Sequence, residues 1–156
     1  KRWFRQSPSI CVHTYMFSKV LVPVDGSDNS FRALDAAISL AKTTGASLTA
    51  MHVIENPPTV YVESQKLLNE LLAKYRSESA KVLDKCKQKA DEAGVKLETV
   101  IAEGDPASNI AGYAHREGFD LIIIGSRGLG RFKEMVLGSV SNKVLHHAKC
   151  GVLVVK

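Results

Sequence analysis

Only three cysteines, Cys11, Cys86 and Cys150, occur in the 156 residues, and no two of them form a C-x-x-C pair. An odd, scattered set excludes a disulfide framework and implies a reducing compartment, so the expected location is cytoplasmic. Also missing is any apolar run near the roughly 20 residues that a spanning helix needs, and the first residues have no signal-peptide core. The expectation is a soluble, unexported protein without a membrane partner. Aromatic residues make up 6% of the chain and do not interleave with basic strands, and no Cys/His finger spacing is present. Those are the usual marks of nucleic-acid readers, so no nucleic acid is expected as a partner. The formal charge of +5 does not argue otherwise, because Lys1, Arg2 and Arg5 supply three of those charges and leave +2 for the remainder.

Two common nucleotide signatures are absent as well. No G-x-x-x-x-G-K-[ST] places a lysine on a phosphate chain, and no G-x-G-x-x-G follows the first apolar strand, which argues against a Walker A site and a dinucleotide fold. The run Asp25-Gly26-Ser27-Asp28-Asn29-Ser30 loosely resembles the pyrophosphatase loop of adenylating enzymes, but without its paired glycines.

What is present centres on Leu121 to Ser141. The apolar run Leu121-Ile122-Ile123-Ile124 breaks into Gly125-Ser126-Arg127-Gly128-Leu129-Gly130, and Gly138 precedes Ser139-Val140-Ser141. This reads as strand, loop and helix start. Glycines let backbone N–H groups approach an anion, and a helix opening at Ser139 adds unpaired N–H groups and the positive end of its dipole. From Ser126 to Lys149 the charged residues are Arg127, Arg131, Lys133, Lys143 and Lys149 against Glu134, so the local field favours an anion too. A solvated glycine-rich turn with a basic rim is the alternative.

The rest of the chain reads as alternating strands and helices. Residues 1–15, with Trp3, Phe4, Ser7, Pro8 and Ser9 in no period, are expected to be a flexible or non-native N-terminal extension, with Met16 a candidate start. In the competing reading Trp3 and Phe4 dock on the domain or on a partner. Residues 16–156 form one domain. Its first strand, Lys19 to Asp25, is apolar on both faces, and Pro23 must sit where it leaves the sheet. Asp28, Asn29 or Ser30 caps a helix that ends before Gly45. A strand from Ser47 to Ile54 stops at Pro57-Pro58, and one helix spans Ser64 to Ala93, with Cys86 in the core. Val95, Leu97, Thr99 and Ile101 alternate with Lys96, Glu98 and Val100, a half-polar pattern that suits an edge strand. Asp105 and Pro106 start a short helix that Gly118 closes. Val140, Val144, Leu145 and Ala148 line a last helix before the strand Val152 to Val155.

That order demands a parallel sheet with right-handed crossovers. The fold class is therefore α/β, an open five-stranded parallel sheet of order 3-2-1-4-5 with helices on both faces. The winding reverses between strands one and four, and the crevice beyond their carboxyl ends is where such sheets bind ligands. Phosphates would meet N–H groups around Gly125, Ser126, Arg127, Gly128, Gly138, Ser139 and Val140, with hydroxyls from Ser139 and Ser141. Asp25 would accept from ribose hydroxyls, and Pro23, Val24 and Val53 would form a slot for the base. Asp25 as a metal ligand or general base is the second reading. No catalytic residue or protein metal ligand is assigned.

Gly125-x-x-Gly128, then nine residues, then Gly138-Ser139, on a chain opening Val22-Pro23-Val24-Asp25-Gly26-Ser27, resembles the ATP-binding branch of the universal stress protein family over Phe17 to Lys156. The resemblance implies a Rossmann-like, adenine nucleotide alpha hydrolase-like domain that binds ATP, or AMP or ADP, with Mg2+ possible through the phosphates. It also implies little or slow hydrolysis, a stress role and a homodimer. The apolar strand Val152–Val155 is the expected dimer contact. Two other classes stay open: an ATP hydrolase or nucleotidyl-transfer enzyme, and a dimeric interaction module of the same fold without nucleotide.

Overall fold

Strands and helices alternate through the computed structural model, which describes residues 17–55, 65–129 and 137–156. They are β1 (Lys19–Pro23), α1 (Asp28–Thr44), β2 (Ser47–Ile54), α2 (Gln65–Glu92), β3 (Leu97–Glu103), α3 (Pro106–Arg116), β4 (Leu121–Gly125), α4 (Ser139–His147) and β5 (Gly151–Val155). The strands pair in parallel in the order β3-β2-β1-β4-β5. This is the open five-stranded α/β sheet expected from the sequence. The readings of the N-terminal extension, of Pro57-Pro58, and of Gly130, Arg131, Lys133 and Glu134 lie outside the described residues.

The two central strands are apolar on both faces because each face meets helices. Val20 and Val22 of β1, with Leu121 and Ile123 of β4, pack under α1 and α2 against Leu34, Ala37, Leu83 and Cys86. Leu21, Ile122 and Ile124 turn the other way, to Ile110, Ala114 and Val144 of α3 and α4. Leu21, Ile122 and Ile123 are completely buried, each contributing about 1.5–3 kcal/mol. Cys86 lies in the first of these layers, and burial pushes its thiol up to about 11 despite Lys89 and Lys85 nearby.

Pro23 shapes the functional end of the sheet. Val24 donates its N–H to the Met51 carbonyl of β2 at 2.8 Å. Successive backbone groups face opposite ways, so the nitrogen of Pro23 faces β4 and has no hydrogen to give it. The β1–β4 register accordingly stops at Leu21↔Ile122, while the β1–β2 register runs on to Pro23↔Met51. The strands part there, and the crevice opens at that fork.

Several local expectations need correction. The cap of α1 is Ser27, whose hydroxyl accepts from the Ser30 N–H; Asp28 is already the first helical residue. β1 ends at Pro23, leaving Asp25 in the turn beyond the strand. β3 begins at Leu97 rather than Val95 and runs two residues past Ile101. Ile101 is 42% exposed, while Val100 and Ala102 pack on the α3–α4 side. Leu145 of α4 is also exposed, and Ala148 is the residue that closes the helix.

Candidate functional site

The switch-point crevice encloses about 580 Å³. Its walls come from the carboxyl ends of β1, β2 and β4, the loop after β4, and the first turns of α3 and α4. Of the residues singled out in the sequence, Pro23, Val24, Asp25, Val53, Gly125, Arg127, Gly128, Gly138, Ser139, Val140 and Ser141 line it. Ser126 does not: it is 1% exposed and stands behind the wall.

Asp25 joins the two halves of the site. Its Oδ1 accepts from the N–H and hydroxyl of Ser27, at 3.0 and 2.6 Å. Its Oδ2 accepts from the backbone N–H of Leu129 at 3.0 Å, across 104 residues of sequence. Gly128 makes this approach possible, since a Cβ there would run into Asp25 Oδ2. Gly125 has a different reason to lack a side chain. A Cβ there would lie 2.8 Å from the carbonyl carbon and oxygen of Asn29 and 3.0 Å from the nitrogen of Ser30, so the glycine admits the first turn of α1 against the end of β4.

The loop's exit is held by its own backbone. Ser126 donates its N–H to the Val155 carbonyl at 2.6 Å, and its carbonyl accepts from the Gly138 N–H at 2.7 Å. The Ser141 hydroxyl, expected to face a phosphate, is instead 3.0 Å from both the Ser126 and Gly138 carbonyl oxygens and donates inward. The reason is burial, for Ser141 is only 3% exposed and an unpaired hydroxyl there would be costly. Among the described residues only the Ser126 Oγ is a buried side-chain polar atom without a partner. Helix α4 starts at Gly138 with no side-chain cap. The N–H groups of Ser139, Val140 and Ser141 belong to its first turn, have no intrahelical acceptor, and border the crevice with the positive end of the helix dipole.

Sequence reasoning missed Ser30, Met51, His52, Glu55, Pro106, Ile110, Ile124 and Leu129, which also line the crevice. The signal for Pro106 and Ile110 was available: in a parallel sheet every helix start lies at the carboxyl edge, so a helix capped at Asp105 had to border the site. That cap is firm. Hydrogen bonds from the N–H and hydroxyl of Ser108 hold the Asp105 carboxyl below its ordinary value, with Lys143 and His147 adding to the effect. His52 could not be foreseen. Its Nδ1 lies 2.8 Å from the Val24 carbonyl, and because a carbonyl only accepts, Nδ1 carries the proton.

These features define an open parallel α/β domain with close glycine backbone and an uncapped helix at its switch point. The chain belongs to the universal stress protein family, whose model matches residues 16–156. It is 43% identical over 149 residues to the universal stress protein YxiE of Bacillus subtilis, covering 90% of this chain and all of that one. Its structure is similar to that of the universal stress protein UspA from Lactobacillus plantarum, with a TM-score of 0.83, 29% identity, and coverage of 90% and 98%. A universal stress protein solved in complex with cAMP matches with a TM-score of 0.66, 27% identity, and coverage of 90% and 98%.

Proposed function

We propose that the chain binds an adenine nucleotide, ATP or its mono- or diphosphate, in the switch-point crevice and acts as a stress-response binding or regulatory module with little or slow hydrolysis. The observation that carries this reading is the Asp25–Leu129 bond. It sets a carboxylate suited to ribose hydroxyls beside backbone donors suited to phosphate, at the uncapped start of α4. The base slot is Pro23, Val24, Met51 and Val53, apolar and adjacent to that carboxylate. The cAMP complex of a relative supports a nucleotide of this kind.

The phosphate chain belongs with the N–H groups of Gly128, Ser139 and Val140, with the Ser139 hydroxyl and Arg127 at the rim; the Gly138 N–H, expected to join them, is instead spent on the Ser126 carbonyl. Among the described residues no three His, Cys, Asp or Glu side chains converge. In this reading Mg2+ enters on the phosphates. Likewise no described helix is long and apolar enough to cross a membrane. The working location of this reading is the cytoplasm, and the working form is a homodimer joined along β5.

Denaturing the purified protein and identifying any released nucleotide by mass spectrometry is the direct test, followed by calorimetric titration of stripped protein with ATP. Retained adenine nucleotide, or saturable ATP binding lost in Gly128→Val, is the expected result. Stripped, folded protein that binds neither ATP nor AMP would sink the proposal.

A further inference from the structure

We propose that Asp25 is a specificity-determining residue that makes the crevice select ligands carrying both ribose and phosphate over bare phosphate chains. The inference rests on the nucleotide reading above and adds a selection rule to it.

The two carboxylate oxygens of Asp25 are engaged differently. Oδ1 is held locally by the N–H and hydroxyl of Ser27, two residues on. Among the described residues, Oδ2 is held by one donor from another part of the chain, the Leu129 N–H, on a residue that is 71% exposed. The Oδ2 bond is the exchangeable one. In the free protein the carboxylate thus acts as an internal anion, occupying a backbone donor of the glycine loop. The backbone at Gly128 is so close to Oδ2 that not even a Cβ would fit between them. A phosphate oxygen arriving at the Leu129 N–H meets that carboxylate at short range, with like charge and no hydrogen to share.

A nucleoside changes this balance. Ribose hydroxyls donate to Oδ2, replacing the bond it loses, and the Leu129 N–H becomes available to the phosphate carried by the same molecule. An inorganic polyphosphate has no such donors and must displace the carboxylate without compensation.

The test titrates the full chain, stripped of ligand and in metal-free buffer, with adenosine, ATP and sodium tripolyphosphate. In Asp25→Asn the side-chain oxygen stays with the Ser27 donors, and the amide N–H2 faces Leu129, so the loop donor is released. Tripolyphosphate is expected to bind about tenfold tighter to Asp25→Asn than to the natural chain, and adenosine about tenfold weaker. Tripolyphosphate binding that is unchanged or weaker in the variant overturns the proposal. A second measurement needs no variant: saturating adenosine should shift the Leu129 amide resonance upfield as its bond to the carboxylate breaks. An unmoved resonance overturns the proposal equally. Failure of the nucleotide reading is seen separately and first, as a natural chain that takes up neither adenosine nor ATP.

Discussion

The imidazole Nδ1 of His52 donates to the carbonyl oxygen of Val24 at 2.8 Å, while the N–H of Val24 donates to Met51 at the same distance. Both backbone groups of the residue preceding Asp25 are therefore held by β2, and the position of the carboxylate is inherited from the sheet. Replacing His52 by Leu leaves the Val24 carbonyl without its donor. The expected cost is about 1 kcal/mol in urea unfolding, with ATP affinity reduced about fivefold as the Asp25 turn loosens. His52→Asn, whose amide nitrogen can stand in for Nδ1, should recover part of both. Equal losses in the two variants would show that the ring acts only by filling space.

Gly125 and Gly128 are three residues apart in one loop, yet their substitutions should fail in different ways. At Gly125 an added Cβ meets backbone atoms of Asn29 and Ser30, which can yield only if the start of α1 moves. Gly125→Ala should cost about 1–3 kcal/mol of stability. At Gly128 the added atom meets the end of the Asp25 side chain, which can rotate away. Gly128→Ala should leave the urea midpoint nearly unchanged and weaken ATP binding instead. Paired unfolding and calorimetry of the two variants distinguish these outcomes, and a reversed pattern would contradict the division of roles.

Sheet order was legible in the sequence because it depends on a global property, strands apolar on both faces, which β1 and β4 have and β3 lacks. The site's outline followed from that order, since two strands known to be adjacent fix which loops meet. What escaped was set by single hydrogen bonds. Ser27, rather than the three polar residues after it, caps α1 because its backbone is extended beside the Asp25 carboxylate. Ser141 turns inward because α4 packs its first turn over the Ser126 carbonyl. His52 reaches Val24 through a cross-strand geometry that no periodicity encodes. The packing of the partly buried Val100 and Ala102, in place of Ile101, depends on which helix covers the edge of β3, a tertiary choice.

Asp120 gives a pH dependence at the opposite end of the sheet. Its carboxylate accepts from the N–H and hydroxyl of Ser18, at 2.8 and 2.7 Å, and from the Lys19 N–H at 3.1 Å. Partial burial pushes its pKa up, but these hydrogen bonds outweigh it and hold the carboxyl below its ordinary value. The folded state thus binds the proton more weakly than the unfolded chain, whose aspartate titrates near about 3.9. The stabilisation is fully present above that pH and is lost as pH falls through the folded value. Asp120→Asn should be less stable than the natural chain at pH 7, by about 1 kcal/mol after allowance for solvent exposure. The gap should narrow steadily below pH 4 in urea titrations. A gap independent of pH would assign the effect to side-chain shape rather than charge.

β5 pairs with β4 on one side, and no other described strand pairs with its outer edge. Leu153 on that strand is 46% exposed, with Val152, Val154 and Val155 half-buried beside it. An open apolar edge invites strand pairing, and a second copy of the same strand is the partner that closes it symmetrically. Light scattering at micromolar concentration should therefore report a dimer, and the thermal midpoint should rise with protein concentration. Leu153→Lys places a charge on the edge without entering the core, so it should yield a folded monomer whose midpoint no longer depends on concentration. A natural chain that is monomeric under those conditions, or a Leu153→Lys protein that remains dimeric, would move the association surface away from β5.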